Sequence, residues 1–400
     1  MGGICPVNSS WETFLQEQLE RLEESGRLRT LQPVEGAQQP VLRRGDKRLI
    51  NLSSNNYLGL ADHPVLKEAA ARAAIRGSGA TASRLIVGHD LQVAALEEKL
   101  AAFKGTEAAL LFGSGYLANV GVLSALLGRG DVVFSDELNH ASIIDGIRLS
   151  KADCYRYQHR DMDHLETLLK QAAQRGFRRR LIVTDSVFSM DGDVAPLREI
   201  VWLKNRYNAA LMVDEAHGGG VFGPHGEGYA THAGVSQEVD LTMGTFSKAF
   251  GVYGAYVAGG RDWIRYLINT CRSFIYTTAL PPAVVGAIDA AVDLVQSSHQ
   301  LRKALMAKAE RFRRRLREMG FDTAGSSTQI IPVVIGGNRE AVAFSRALEE
   351  LGVLGVAIRP PTVPEGTARI RFSLMANHDD EDLDVALAAI GAVGEKMGLI

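Results

Sequence analysis

The chain has 400 residues, 46% of them hydrophobic and 22% charged, which is the composition of an ordinary globular protein. Its 44 Lys and Arg nearly balance its 46 Asp and Glu, so a nucleic-acid-binding protein is disfavoured. Three widely spaced cysteines (Cys5, Cys154 and Cys271), no secretory signal and no run of 18 apolar residues together indicate a cytoplasmic protein without a disulfide framework.

The first two thirds of the chain alternate between helical and strand-like patterns. An amphipathic helix is predicted over residues 9–25, followed by an extended arm to residue 58. Between residues 59 and 296, helices are predicted over 91–104 and 162–175. Short apolar runs surround them and begin near residues 108, 131, 180, 209, 240 and 254. Because runs of four to eight apolar residues between helices are typical of buried parallel strands, this region is predicted to be a large α/β domain.

The last hundred residues differ in pattern. The sequence predicts a helix over 301–319, a strand over 329–335, a helix over 339–351, a strand over 368–374 and a final helix. We therefore expect three parts, an N-terminal helix and arm (1–58), a large domain (59–296) and a small α+β domain (297–400).

A lysine follows the fifth of the apolar runs. Lys248 is surrounded by small and apolar residues, and the hydroxyls of Thr245 and Ser247 precede it. Desolvation lowers the pKa of an amine and makes it a usable nucleophile. Taken alone, the segment fits a surface lysine after a strand even better.

Two further segments place polar groups after predicted strands. Asp214 and His217 follow the run that begins near residue 209, and a carboxylate there stabilises the protonated ring nitrogen of a pyridine cofactor. A metal pair or a hydrogen-bonded core pair are the alternatives, but no H-E-x-x-H or similar ligand set accompanies them, so no metal site is predicted. His140 also follows a strand and is able to stack on a planar ring, although a structural histidine is the commoner case.

A glycine pair at residues 113 and 115 lies between a strand and a predicted helix, where backbone N–H groups bind anions. A nicotinamide-binding turn is a weak alternative because Ala118 occupies the position of the third glycine. Together, Gly115, His140, Asp214 and Lys248 supply a phosphate cradle, a stacking ring, an acid and a lysine. This combination predicts a pyridoxal-phosphate (PLP) site.

Longer strings make the family recognisable. The chain resembles the α-oxoamine synthases of the fold-type-I PLP enzymes between about residues 48 and 385. The strings that carry the resemblance are NLSSNNYLGL (51–60), GSGATASRLIVG (77–88), SGYLAN (114–119), DELNHASIIDG (136–146), TDSVFSMDGDVAPL (184–197), DEAHGGGVFG (214–223), TFSKAFG (245–251), YTTALPP (276–282) and IRPPTVPEGTARIRFSL (358–374). The resemblance implies a mixed, mostly parallel sheet flanked by helices.

The resemblance also implies a role for individual residues. It implies that Lys248 is the Schiff-base lysine and that Asp214 pairs with the pyridine nitrogen. The other cofactor contacts that it implies are Gly115, Tyr116, His140, Ser189, His217, Thr245 and, from a partner subunit, Thr277 or Thr278. The substrate contacts that it implies are Arg29, Asn55, His140, Thr362 and Arg371. Asn56, Gly219 and Ser247 depart from the commonest family pattern, but none of these changes removes a named role.

The implied reaction is the decarboxylative condensation of L-alanine with a pimeloyl thioester, carried by coenzyme A or a carrier protein, in biotin biosynthesis. His140 is the candidate donor to the developing oxyanion. Glycine-using relatives, namely 2-amino-3-ketobutyrate ligase and 5-aminolevulinate synthase, and a plain aminotransferase are alternatives, since substrate choice can depend on one pocket residue. A catalytically silent PLP-fold binding module is a further alternative, which the joint presence of Lys248, Asp214, His217 and His140 disfavours. A homodimer with shared sites is expected from the resemblance alone.

Overall fold

The structure, a computed structural model, describes residues 9–400 apart from the side chain of Ser9. Residues 1–8, which include Cys5 and most of the segment searched for a secretory signal, lie outside the described residues. No helix within residues 9–400 is long and apolar enough to cross a membrane.

Helices and strands alternate along most of the described chain. The helices are α1 (Ser9–Glu24), α2 (Pro64–Ala74), α3 (Leu91–Lys104), α4 (Gly115–Leu126), α5 (Ala141–Ser150), α6 (Met162–Ala173), α7 (Leu197–Arg206), α8 (Tyr229–His232), α9 (Arg261–Thr270), α10 (Arg272–Ile275), α11 (Pro282–Ser297), α12 (His299–Glu318), α13 (Asn338–Glu350) and α14 (Asp380–Lys396). The strands are β1 (Val41–Arg44), β2 (Lys47–Asn51), β3 (Ala108–Phe112), β4 (Val132–Asp136), β5 (Asp153–Tyr157), β6 (Arg180–Asp185), β7 (Ala210–Asp214), β8 (Leu241–Thr245), β9 (Ala255–Gly259), β10 (Ile330–Gly336), β11 (Val353–Leu354), β12 (Val356–Ile358) and β13 (Ala368–Ser373).

A seven-stranded sheet in the order β3-β9-β8-β7-β6-β4-β5 forms the centre of the large region. Its inner strands β4, β7 and β8 are buried apart from the first residue of β7, because helices cover both faces of the sheet. The predicted mixed, mostly parallel sheet is confirmed. The strand near residue 254 is the exception to the parallel expectation, since β9 runs antiparallel to both β3 and β8.

The carboxyl ends of the parallel strands meet at one edge of this sheet. Asp136, Asp185, Asp214 and Thr245 are the last residues of β4, β6, β7 and β8. In α/β sheets this edge is where ligands bind, because the helices that follow direct their N-termini toward it. The register pairs Asp185 of β6 directly with Asp214 of β7.

The C-terminal region contains two small sheets. One is antiparallel in the order β10-β13-β12, and the other joins β1 and β2 to β11, so the N-terminal arm pairs with the C-terminal region. A loop of the large region presses on β10 at Gly192, which has a φ of +67°. A Cβ there would collide with the carbonyl of Ile330, so only glycine allows this close approach.

Candidate active site

Lys248 lies in the loop after β8, at the carboxyl edge of the seven-stranded sheet. Its side-chain amine forms no ion pair or hydrogen bond with any residue between 9 and 400, while its backbone carbonyl accepts from the N–H of Gly251 at 2.9 Å. Burial lowers the pKa of its amine to about 8, and the positive charge of Arg371 adds to this lowering, while Asp214 and Asp185 oppose it. A lysine with such a pKa has a substantial neutral fraction near neutral pH, as a nucleophile or a base requires.

Asp214 ends β7 in a buried, hydrogen-bonded position. Its Oδ1 accepts from the backbone N–H of Ala216 at 2.8 Å and its Oδ2 accepts from Asn119 Nδ2 at 2.8 Å. Three residues later, the Nδ1 atom of His217 lies 2.6 Å from the Tyr57 hydroxyl. Burial, together with the charges of Lys248 and Arg371, holds the pKa of His217 well below its usual value, so this imidazole is neutral.

His140 is the N-cap residue of α5 and its ring lines a cleft beside the sheet edge. Its backbone N–H donates to Asp185 Oδ2 at 2.8 Å, which ties the loop that carries His140 to the end of β6. Desolvation lowers the pKa of His140, although the charge of Asp214 opposes this. The neutral form of the ring is therefore favoured.

A helix N-terminus and two hydroxyls form the opposite end of the site. Gly115 begins α4, and a Cβ at this position would come within 3.4 Å of the Met243 side chain. The Tyr116 hydroxyl donates to Asp145 Oδ2 at 2.6 Å. Thr245 Oγ1 lies 2.8 Å from Ser247 Oγ and donates to the carbonyl of Gly254 at 2.9 Å. Backbone N–H groups and hydroxyls in this arrangement suit a phosphate.

Arg371 reaches the site from β13. Its NH1 donates to Asn55 Oδ1 at 3.0 Å and to Ser373 Oγ at 2.9 Å, its NH2 donates to the Tyr57 hydroxyl at 3.3 Å, and its Nε donates to the carbonyl of Ser189. The residue is 7% exposed, and no carboxylate within residues 9–400 forms an ion pair with it. A buried guanidinium without a counter-charge is costly, and an incoming carboxylate would balance it.

The cleft that His140 lines has a volume of about 520 Å³ and also contains Ser189 and Thr362. Thr362 in addition borders a second cleft of about 580 Å³, which Arg29 and Arg359 line. The two clefts therefore share Thr362 as a lining residue.

Two predicted cofactor contacts make no hydrogen bond with the other described residues predicted to bind the phosphate. Thr277 and Thr278 line a small cavity with Arg84 and Gly113, and Thr278 bridges to Ser83. Neither of them makes a hydrogen bond to Thr245, Ser247 or Tyr116 in the part of the chain that the structure describes. This separation is compatible with the prediction that they serve the site of a partner subunit.

The residues at the sheet edge fit PLP. Asp214 offers a carboxylate for the ring nitrogen, and the unpaired amine of Lys248 is available for the aldehyde carbon. His140 offers a ring face, and the start of α4 with Thr245 and Ser247 offers donors for the phosphate. A half-buried lysine amine without a partner and a buried arginine without a counter-charge among the described residues are what a site built around an anionic cofactor and substrate requires.

The sequence interpretation missed four residues of this site. Tyr57 bonds to both His217 and Arg371, Asn119 holds Asp214, Ser142 contacts His140, and Asp185 anchors the His140 backbone. All of them lie inside or beside the family strings. The partners of Tyr57, Asn119 and Asp185 are distant in sequence, so spacing alone gave no signal for these three, whereas Ser142 lies two residues from His140.

Comparison with known proteins identifies the family. The profile of the family "Aminotransferase class I and II" matches residues 47–390. A putative 8-amino-7-oxononanoate synthase of Geobacillus kaustophilus is 54% identical over 97% of this chain and 100% of its own length. The 8-amino-7-oxononanoate synthase of Geobacter sulfurreducens is 53% identical over 96% of this chain and 98% of its own length.

Among solved structures, a serine palmitoyltransferase from S. paucimobilis with bound PLP-myriocin aldimine superposes with a TM-score of 0.92 and 30% identity, covering 99% of this chain and 100% of that one. The fold is that of fold-type-I PLP enzymes, and PLP is the cofactor. The interpretation as a silent binding module is therefore abandoned in favour of an enzyme. The chain belongs to the class I and II aminotransferase family of PLP-dependent enzymes and, within it, to the 8-amino-7-oxononanoate synthases.

Proposed function

We propose that the protein condenses L-alanine with a pimeloyl thioester to give 8-amino-7-oxononanoate. In this reaction a C–C bond forms between Cα of alanine and the acyl carbonyl carbon, and the thioester C–S bond breaks to release the thiol. The alanine carboxyl group leaves as CO₂, and a proton replaces it at Cα. When bound, PLP supplies the electron sink that both carbanion-forming steps need.

The observation that carries this proposal is the buried, unpaired Arg371. Its NH1 and NH2 atoms also contact Asn55 and Tyr57, which orients the guanidinium. A planar pair of N–H donors matches a substrate carboxylate in a bidentate geometry. An α-amino acid held by this group would place Cα near Lys248, whose pKa Arg371 lowers.

Lys248 is the proposed base. With a pKa near 8, its Nζ is able to take the Cα proton and later return a proton to the same carbon. Asp214, whose carboxylate two donors hold in place, would stabilise a proton on the cofactor ring nitrogen. The Tyr57 hydroxyl holds the His217 ring in place, and this ring would contact the cofactor when it is bound.

The acyl substrate is proposed to enter through the clefts on either side of Thr362. His140 lines the cleft of about 520 Å³. Arg29 lines the cleft of about 580 Å³ and is a cation suited to an acidic acyl terminus or a phosphate of the carrier. Both coenzyme A and a carrier protein remain candidates for that carrier.

A homodimer is also proposed, supported by large apolar side chains that one subunit leaves exposed. Leu19 of α1 is 54% exposed, Val87 is 78% exposed and Tyr276, next to Thr277, is 72% exposed. Exposed apolar groups on this scale mark protein interfaces. A partner would bring its Thr277 and Thr278 to the phosphate end, where Thr245 already donates to Gly254 within its own chain. Sedimentation of the purified enzyme measures the subunit number.

A cytoplasmic location is proposed as well. Cys154 is exposed and carries a free thiol, and Cys271 is also free, which suits a reducing compartment. Fractionation of cells that produce the tagged protein tests this location.

The decisive experiment supplies purified PLP-loaded enzyme with L-alanine or glycine and with pimeloyl-CoA or a pimeloyl carrier protein. Thiol release and product mass are measured. We expect thiol release with alanine and much less with glycine. Release with glycine alone would assign the enzyme to a glycine-using relative, and binding of PLP without release from any thioester would contradict the proposed reaction.

A further inference from the structure

A chain of hydrogen bonds connects Asp214 to the Nδ1 atom of the His140 ring. Asn119 Nδ2 lies 2.8 Å from Asp214 Oδ2 and 2.9 Å from Ser142 Oγ, and Ser142 Oγ lies 2.7 Å from His140 Nδ1. Asn119 and Ser142 are both completely buried. Neither residue was assigned a role by the family strings.

The direction of each bond follows from which groups are able to donate. The Asp214 carboxylate oxygen accepts, so the Asn119 amide must turn its NH₂ group toward it. The second N–H of that group then donates to Ser142 Oγ, which leaves the Ser142 hydroxyl proton for His140 Nδ1. The backbone N–H of Ser142 also donates to His140 Nδ1, at 3.3 Å.

Two donors therefore face His140 Nδ1, and this nitrogen accepts. Desolvation favours the neutral ring, against the attraction of Asp214 and Asp145. A neutral imidazole carries one proton, and with Nδ1 accepting, that proton is on Nε2.

This network leaves one group unsatisfied. Asn119 Oδ1 is buried and has no hydrogen-bond partner among the described residues. An unpaired buried carbonyl costs about 1–3 kcal/mol, a cost that an apolar side chain would avoid. A functional role of the Asn119 amide explains why a polar side chain occupies this buried position.

We propose that Ser142 and Asn119 are positioning residues that hold His140 as the Nε2–H tautomer, so that the ring presents a donor to the carbonyl oxygen of the acyl substrate. This inference rests on the proposed condensation. It assigns His140 the role of hydrogen-bond donor to the developing oxyanion and excludes the role of general base in that step.

The first test reads the tautomer directly and needs no substrate. Histidine is labelled with ¹⁵N, and long-range ¹H–¹⁵N correlation spectra are recorded on the full-length enzyme with and without PLP. His140→Gln identifies the His140 signals by their loss. We expect the Nε2–H pattern in the wild type and a mixture of the two tautomers in Ser142→Ala. A wild-type Nδ1–H pattern, or an unchanged pattern in both Ser142→Ala and Asn119→Ala, would overturn the proposal.

The matched control is Ser150→Ala. Ser150 is also buried on α5, and its replacement by alanine removes the bond from Oγ to the carbonyl of Ile147 at 2.7 Å and the bond from the backbone N–H of Ala152 to Oγ at 3.1 Å, neither of which belongs to the network. It should leave the His140 tautomer and turnover unchanged. A similar loss in both serine variants would show a general effect on α5 and would overturn the positioning role.

The second test separates donor from base by kinetics. We expect Ser142→Ala to lower kcat about tenfold, the effect of losing one positioning hydrogen bond, with KM for alanine unchanged. His140→Gln, which is able to donate, should retain more turnover than His140→Glu, which is able to act as a base. The reverse order would overturn the donor role. If wild-type enzyme releases no thiol from any acyl donor, the condensation fails, while the tautomer result stands by itself.

Discussion

Two clusters of charged residues lie near the carboxyl edge of the same sheet, and they differ in how their charges are paired. In the His159 cluster (His159, Asp136, Asp193 and Arg160), His159 Nδ1 lies 2.9 Å from Asp136 and its Nε2 lies 2.8 Å from Asp193, while Arg160 pairs with Asp193 at 3.0 Å. In the catalytic cluster (Lys248, Asp214, His217 and Arg371), no ion pair joins the four residues.

This difference in ion pairing distinguishes charges that stabilise the fold from charges that are available to bind a ligand. Burial alone would lower the pKa of His159, but hydrogen bonds and attraction from both carboxylates raise it to about 9, so the ring is a cation. Burial lowers the pKa of Lys248 to about 8, and the attraction of Asp214 and Asp185 does not offset this. The ion pairs of the His159 cluster stabilise the fold, whereas we propose that the unpaired charges of the catalytic cluster pair with the cofactor and the substrate.

The largest expected effect comes from removing the lysine of the unpaired cluster. Lys248→Ala should lower turnover by at least about 10⁴-fold, since nucleophile and base are lost together. The free energy of unfolding of the cofactor-free protein should not fall, because the unpaired amine contributes only a desolvation cost. Turnover and denaturant unfolding are the two measurements.

Lys104 is the matched control for this variant. It is a buried lysine, and its amine donates to the carbonyl of Glu227, away from the site. Lys104→Met should lose stability and keep turnover. A stability loss in Lys248→Ala that matches the loss in Lys104→Met would break the comparison between the clusters.

Arg371→Lys tests whether the substrate carboxylate is the counter-charge of Arg371. A lysine keeps the charge but loses the bidentate donors, so KM for alanine should rise about 30- to 100-fold, equivalent to the 2–3 kcal/mol of a charged hydrogen bond. Arg369→Lys is the control, since Arg369 of the same strand already pairs with Asp191. An equal rise of KM in both variants would show that strand position, rather than substrate binding, is responsible.

These two arginines show what could and could not be predicted from the sequence. They are two residues apart on β13, so they share one face, and residue type does not distinguish them. Only the tertiary structure places Asp191 beside one and leaves the other unpaired. The family strings named Arg371 as a candidate, but its contacts with Asn55 and Tyr57 join segments more than 300 residues apart.

The same reasoning applies to the fold. Buried inner strands were predicted because apolar runs are unmistakable, whereas β5 was missed because its sequence, DCYRY, is half polar. β5 lies at the edge of the sheet, where its outer residues meet water and need not be apolar. The His159 cluster was missed for the reason that hid Asn119, since its members come from three distant segments.

His159→Gln probes the paired cluster. The variant should lose about 2 kcal/mol of unfolding free energy at pH 6, because two buried carboxylates lose their shared cation. Since the folded pKa of about 9 exceeds the ordinary value of 6.5, this contribution is full below pH 6.5 and disappears as the pH rises through 9. Urea unfolding of wild type and variant at pH 6 and pH 10 measures it.

His164→Gln serves as the control for His159→Gln, because His164 only accepts from the backbone N–H of Gln158. Its stability difference from the wild type should be small and should not change over this range. A wild-type advantage over His159→Gln that grows with pH would contradict the assignment of His159 as a buried cation.

The smallest expected effect concerns the phosphate end, where Ser247 departs from the family pattern. The Thr245 hydroxyl proton is committed to Gly254, so Ser247 is the donor in its bond with Thr245 Oγ1, and the Ser247 hydroxyl is the one that would turn its proton to a bound phosphate. Ser247→Ala should raise the Kd for PLP about three- to tenfold, the loss of one hydrogen bond, with kcat unchanged at saturating PLP. Fluorescence titration of the cofactor-free enzyme measures this. An unchanged Kd would mean that the Ser247 hydroxyl only bonds to Thr245 and does not bind the phosphate. This hydroxyl pair would then be structural, like the His159 cluster.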